Sequence, residues 1–346
     1  APAKWQALAS AVGIELAEGG LPEQEEQASF LHLAQAAAAQ AAASPPDLVL
    51  YSPTCMSIAV ALYDAIGVTT YPVWFRLPDP TWIMPKLFWL EESMMATVLY
   101  SPLGAIGPDE ISARILAPKV LLATTSLELE AIADPTSKQQ YNFTHKPLFT
   151  GKWTIPEPAQ ASLGDALLHG VRGDIEAFLK AGKPPVYVGW GGAQVEGNWA
   201  CGTILSAVKA CGLRAIIVSG KSTLNEDALR SFVGDDPEGL LSYAKANVLF
   251  TPAVPLETVL PKCCCAMLHG GHGTVGSCLH AALPMLISPM GDDDHHYADW
   301  IVSLGIGKRT PDIWSLEASV LKDMLKSVAT DAALRGKAQE VQKTVS

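Results

Sequence analysis

Apolar and polar positions along the chain alternate between two periods. Short runs of four to six apolar residues recur, each followed by a longer stretch with apolar residues three and four apart. The short runs fit buried strands and the longer stretches fit helices, so the pattern predicts an α/β protein with parallel sheets. In the first half, strands are expected at residues 14–16, 47–51, 68–74 and 119–124. Helices are expected at 5–12, 23–43 and 54–66, the last stopped by Gly67. Residues 76–118 are broken by prolines and read as irregular or as short helices. In the second half, strands are expected at 185–189, 214–219, 248–252, 263–268 and 284–288. Helices are expected at 200–211, 275–282 and 294–304, with a short one starting at Pro255 and one long amphipathic helix over 315–342. A stretch punctuated by Pro, Gly and Ser, about 154–164, reads as a linker. This gives a first domain at 1–155, a linker region at 156–183, a second domain at 184–313 and a helical segment at 314–346.

Bulk composition narrows the partners. The chain has 346 residues, enough for two ordinary domains, and 49% of them are hydrophobic, enough to fill their cores. The formal charge of -11, without a basic stripe, excludes nucleic acid as an expected partner. An anionic ligand would therefore need a local device, such as the amides at a helix start. The seven cysteines are odd in number and form no C-x-x-C pair, which argues against a disulfide framework or a structural zinc site. Reduced thiols in an intracellular compartment, an organelle included, are expected, with Cys263, Cys264 and Cys265 acting as small hydrophobes in a buried strand. No apolar run is long enough to span a bilayer; the most apolar stretch, 82–99, suits core packing, an apolar pocket or peripheral contact with a membrane.

The segment that carries chemistry is C-C-C-A-M-L-H-G-G-H-G-T at 263–274. An apolar strand runs into a glycine-rich turn, and a helix follows at once. Glycines permit positive φ and close backbone approach, while amides at the helix start and the helix dipole favour an anion. Gly270, Gly271 and Gly273 would form such a cradle for phosphate. His269 can donate to a phosphate or sugar oxygen, and Thr274 can cap the helix or donate its hydroxyl. The following strand leads into P-M-G-D-D, which places Asp292 and Asp293 on the neighbouring loop, where carboxylates suit sugar hydroxyls. A strand–turn–helix junction packed for its own sake is the plainer alternative. A metal-dependent hydrolase could use His269, His272, His280, His295, His296 and the Asp292 to Asp294 run, but no H-E-x-x-H or comparable spacing is present.

The ordered motifs V-Y-V-G-W-G-G (186–192), V-P-x-x-x-V-L-P (254–261), H-G-G-H-G-T (269–274), P-M-G-D-D (289–293) and L-G-I-G (304–307) resemble the family-one glycosyltransferases. The similar branch holds sterol glucosyltransferases and bacterial enzymes that glycosylate lipids and antibiotics, with motifs close to V-x-x-G-F-G-S, V-P-H-x-x-L-F-P, H-H-G-G-A-G-T and F-G-D-Q. A fainter match covers D-L-V-L at 47–50 with its following helix, and T-G-K-W at 150–153. The resemblance implies a GT-B fold, two Rossmann-like domains facing across a cleft, with the nucleotide sugar on the second. It implies inverting transfer of a hexose from a UDP-sugar, UDP-glucose being typical, to a hydroxyl of an apolar acceptor. It implies no metal and no cofactor. His269, Gly270, Gly271, Gly273, Thr274, Asp292, Asp293, Gly191, Gly192 and Pro255 would bind the donor.

Departures from the family motifs point the other way. The opening βαβ unit, which carries the family's activating His or acid, has no counterpart in this chain, so no catalytic base is assigned. Gly192 replaces a Ser, Leu256 a His and Asp293 a Gln. These changes support an alternative, a non-catalytic GT-B-fold accessory or scaffold subunit with protein partners. Trp190, where the family has Phe, is expected to pack beneath its loop, and Lys221 to be solvated.

Overall fold

The computed structural model describes residues 43–51, 67–74, 121–124, 148–153 and 172–345. The elements expected over 5–16, 23–42, 54–66 and 76–118, and the linker at 154–164, lie outside the described residues. The chain divides into two compact units, with the main break between Trp153 and Thr154. Among the described residues, no helix is long and apolar enough to cross a membrane.

The first unit holds four parallel strands in spatial order β1-β2-β3-β4: β1 (Val49–Tyr51), β2 (Thr70–Trp74), β3 (Leu121–Leu122) and β4 (Leu148–Phe149). The first three fall inside apolar runs read as strands; β4 was not expected. Leu122 is fully buried, and its carbonyl accepts from the Thr150 amide at 2.8 Å, which anchors the T-G-K-W segment beyond β4. Gly151 follows with φ +69°, a left-handed turn that favours glycine.

The second unit is built on six parallel strands: β5 (Val186–Gly189), β6 (Ala215–Val218), β7 (Val248–Thr251), β8 (Cys265–Leu268), β9 (Met285–Ile287) and β10 (Gly307–Arg309). Their spatial order is β10-β9-β8-β5-β6-β7. The chain steps outward from β5 to β7, returns to set β8 beside β5, and then steps outward on the other side. This is the doubly wound Rossmann order, and its switch point lies between β5 and β8. Every residue of β5, β6, β8 and β9 is buried, so these strands appear as unbroken apolar runs rather than alternating ones. Cys263 and Cys265 lie in this core, where burial pushes the Cys263 thiol up to about 12.

Nine helices connect and cover this sheet among the described residues: α1 (Arg172–Lys180), α2 (Asn198–Ala210), α3 (Glu226–Val233), α4 (Leu240–Asn247), α5 (Leu256–Val259), α6 (His272–His280), α7 (Asp292–Ser303), α8 (Ala318–Thr330) and α9 (Ala332–Val345). The α1 helix occupies part of the stretch expected as a linker region. The α2 helix buries Cys201, Ile204, Leu205 and Val208, which recur on one face at helical spacing, in the same core as Val186, Val188, Ala215 and Ile217 of β5 and β6, and it packs against α3 and α8. Leu321, Leu325 and Val328 of α8 enter the same core, so the segment beyond residue 314 shares its interior with the sheet. The single long helix expected there is two. The Asp331 amide donates to Ser327 O at 2.9 Å and ends α8, while its carboxylate accepts from the Ala333 amide at 2.8 Å and starts α9. An Asp side chain competes for backbone amides in this way, which favours a break over a continuous helix.

Candidate functional site

Parallel pairing sets Gly189 of β5 level with Leu268 of β8, so the chain leaves both strands side by side at Trp190 and His269. Two loops therefore open together at the switch point, the place where open α/β sheets bind ligands.

Trp190 points into the core and is fully buried, with its Nε1 in contact with no acceptor; it packs beneath the loop. The turn after it is closed by the Ala193 amide donating to Trp190 O at 2.9 Å. Gly191 takes φ +55°, and a side chain on it would project toward His269 Cε1 at 3.4 Å and Thr274 Oγ1 at 3.7 Å. These distances bring Gly191, His269 and Thr274 together from both sides of the switch point. Gly192 is exposed, with nothing within 4 Å of where a Cβ would stand. The loop after β6 adds a residue that sequence reasoning did not select. Gly220, at φ +55°, lies so close to the Gly191 carbonyl that a Cβ would stand 2.5 Å from its oxygen. Lys221, next to it, is exposed.

On the β8 side, Gly270 adopts φ +119° and lies against the start of α7, where a Cβ would come within 2.9 Å of Asp294 Cα. Gly271 lies under the His269 ring, and a side chain there would strike Nε2. Its carbonyl accepts from the Thr274 and Val275 amides, both at 3.1 Å, and so begins α6. No side chain caps α6, contrary to the expectation that Thr274 could do so. Thr274 is the third residue of the helix, and its hydroxyl faces Gly191 instead. His272 and Gly273 likewise belong to the first turn of α6, three residues earlier than the apolar pattern placed the helix start. An uncapped first turn presents amides to an anion, and the helix dipole adds to the attraction.

His269 is half-buried, and its Nδ1 is buried without a hydrogen-bond partner. Burial holds the imidazole below its ordinary value of 6.5, while the Asp294 carboxylate pulls in the opposite direction. The resting ring is therefore neutral near pH 7, and an incoming anion would favour its protonated, donating form.

Asp292 and Asp293 are the first two residues of α7, just past the loop after β9, the strand beside β8, rather than on that loop as the sequence placed them. Asp294, the third acid of that run, has a different role. Its carboxylate accepts from the Met290 amide at 3.1 Å and the Gly291 amide at 3.3 Å, fixing the loop that leads into α7. Pro255 stands at the start of α5, on the return path from β7, two strands from β5. That path crosses back toward the switch point, since Ser277 of α6 donates to Glu257 of α5 at 3.4 Å. Pro255 and α6 are thus connected through α5, while the tight convergence involves Gly191, His269, Gly270, Gly271 and Thr274. His280 ends α6 about 12 Å along the helix from His272. Among the described residues, no group of three or more His, Cys, Asp or Glu could hold a metal ion.

Comparison with solved structures decides the fold. The glycotransferase of kitacinnamycin superposes with a TM-score of 0.66 at 17% identity, covering 99% of this chain and 85% of that one. LpCGTa, solved in complex with UDP, gives 0.62 at 13% identity, covering 96% and 79%. The fold is that of the GT-B glycosyltransferases. Within this GT-B chain, residues 235–346 match the family described as erythromycin biosynthesis protein CIII-like, C-terminal domain. Glycosyltransferase GtfC of Amycolatopsis orientalis is 30% identical over 159 residues, 46% of this chain and 33% of that protein. The sterol 3-beta-glucosyltransferase of Vanderwaltozyma polyspora is 28% identical over 179 residues, 50% of this chain and 14% of that protein. The match thus spans a third or less of these two curated relatives. It bears out the glycosyltransferase resemblance carried by the motifs between residues 186 and 307.

Proposed function

We propose that this GT-B chain binds a UDP-sugar at the switch point of its second unit and serves transfer of the hexose, with inversion, to a hydroxyl of an apolar acceptor such as a sterol or lipid. The observation that carries the reading is the convergence of Gly191, His269 and Thr274 over the uncapped start of α6. The diphosphate would lie against the first-turn amides, with the Thr274 hydroxyl and the His269 imidazole as further donors. Negative charge grows on the diphosphate as the glycosidic bond to the leaving group breaks. Prearranged donors aimed at that charge stabilise the transition state more than the ground state. Asp292 and Asp293, opening α7 just past the adjacent loop, would accept from sugar hydroxyls. A nucleoside diphosphate is what the solved neighbours hold, UDP in LpCGTa and dTDP in the glycosyltransferase VinC, and the resemblance carried by the motifs makes UDP the form proposed. A sterol or lipid acceptor is favoured by the similarity to a sterol glucosyltransferase.

A second reading, a non-catalytic GT-B subunit, draws on Gly192 and Leu256, which lack the polar side chains of the family motifs. Incubation of the chain with radiolabelled UDP-glucose and a panel of sterols and lipids separates the two. Label appearing in the organic phase supports transfer. Binding of UDP-glucose without any transfer supports the non-catalytic subunit.

A further inference from the structure

We infer that Cys264 and Cys265 form a redox-active dithiol, which a hydroperoxide converts to a disulfide between the two neighbouring residues. The pair stands at the amino end of β8, the opposite end from the loop that carries His269, so the inference does not depend on the donor site.

In a regular strand, successive side chains point to opposite faces, which keeps neighbouring sulfurs apart. The chain bends at Cys263 and Cys264 just before β8, and the alternation fails there. Cys264 packs against the same core that holds Cys265, Val186 and Met267, and the two sulfurs lie 4.0 Å apart. Cys263 is engaged elsewhere, its thiol donating to Val259 O at 3.4 Å.

The two thiols differ in surroundings. Cys265 is fully buried, whereas Cys264 is partly exposed. A hydrogen bond from Cys265 holds the Cys264 thiol below its ordinary value of 9.0, against the opposing effect of burial. Arg335 of α9, whose guanidinium donates to the Cys264 carbonyl, adds positive charge beside it. Cys211 is the other partly exposed cysteine among the described residues, and burial raises its thiol. Exposure and a stabilised thiolate therefore coincide at Cys264.

The reaction runs in two steps. The Cys264 thiolate attacks one peroxide oxygen and the O–O bond breaks. The other oxygen leaves as hydroxide and takes up a proton, which leaves a sulfenic acid on Cys264. The Cys265 sulfur then attacks the Cys264 sulfur and the S–O bond breaks. The hydroxyl departs as water with the Cys265 proton, and the S–S bond remains. Two electrons pass from the thiols to hydrogen peroxide, which ends as two waters. Cys265 needs no access to solvent, because its partner is already beside it.

The test uses the full chain, reduced, treated with an equimolar amount of hydrogen peroxide, capped with N-ethylmaleimide and mapped by mass spectrometry. Cys264 and Cys265 are expected to lose two hydrogens together and to take no maleimide. Cys264→Ser is expected to slow oxidation of this segment about tenfold. Cys265→Ser is expected to stop the reaction at the sulfenic acid, which dimedone traps on Cys264. Arg335→Gln is expected to slow alkylation of Cys264 by iodoacetamide about threefold, with the rate recovered in Arg335→Lys. Oxidation that falls first on Cys211 overturns the inference, as does full maleimide capping of Cys264 after peroxide or a dimer linked through Cys264. The wild-type map decides these outcomes by itself, so a variant that fails to fold does not remove the test.

Discussion

At the scale of single residues, the site depends on where a side chain is missing. Gly270, Gly191 and Gly220 take positive φ and lie against neighbouring backbone or side chains, so each has a steric reason to be glycine. Gly192 has no such constraint. A Cβ there meets nothing within 4 Å among the described residues, and a serine restores the hydroxyl of the family motif. Gly192→Ser is therefore expected to bind UDP a few-fold more tightly, about 0.5–1.5 kcal/mol for one added hydrogen bond, measured by calorimetry. His269 makes a pH prediction. Its folded value lies below the ordinary 6.5 because of burial, so the unfolded chain takes up the proton first as pH falls. The stability associated with the neutral ring is intact above about 6.5 and is lost as pH falls toward the lower folded value. His269→Gln should flatten that part of a plot of melting temperature against pH. An unchanged slope would mean that the ring is not desolvated.

At the scale of elements, sequence pattern and structure agree where a rule is local. Glycines between an apolar run and a helix announce the β8–α6 turn, because strand, turn and helix are consecutive in the chain. The start of α6 was placed late because His272, Gly273 and Thr274 carry no apolar face, and helix start signals are weak when the cap is glycine. The α3 and α4 helices were missed although each has a polar opener. Asn225 accepts from the Ala228 amide at 2.8 Å, and Asp236 from the Leu240 amide at 2.6 Å. Such residues are equally common in turns, and only the helix that follows resolves their role. Three contacts join parts of the chain too far apart for spacing to reveal them: Gly220 on Gly191, Gly270 on Asp294 and His272 on Tyr297. Asp294 is the case with a measurable consequence. Asp294→Ala removes the acceptor for the Met290 and Gly291 amides, as loss of a helix cap does. Unfolding in urea should show a loss of about 0.5–2 kcal/mol. UDP-glucose binding should weaken more than UDP binding, because the disturbed loop leads to Asp292 and Asp293. Equal weakening would separate that loop from the sugar.

At the scale of the whole molecule, the alternation of apolar runs and helical stretches was enough to read an α/β protein with parallel sheets. It could not give strand order. The sequence order of β5 to β10 becomes the spatial order β10-β9-β8-β5-β6-β7 only through the crossover that returns β8 to the side of β5. That return creates the switch point and brings residues near 190 and 269 side by side, which no local pattern encodes. The motifs between 186 and 293 reached the same place by resemblance, since each lies on or after the loop that leaves a strand at one edge of this sheet, whereas L-G-I-G at 304–307 leads into β10 from the other edge.

The central claim is that first-turn amides of α6 grip a nucleotide diphosphate, and calorimetry of UDP binding tests it most directly. The wild-type chain is expected to bind one UDP, and Gly271→Leu to bind none, because its side chain would displace the His269 ring and fill the turn. Wild-type affinity in a correctly folded Gly271→Leu variant, or no UDP binding by the wild-type chain, would contradict the account.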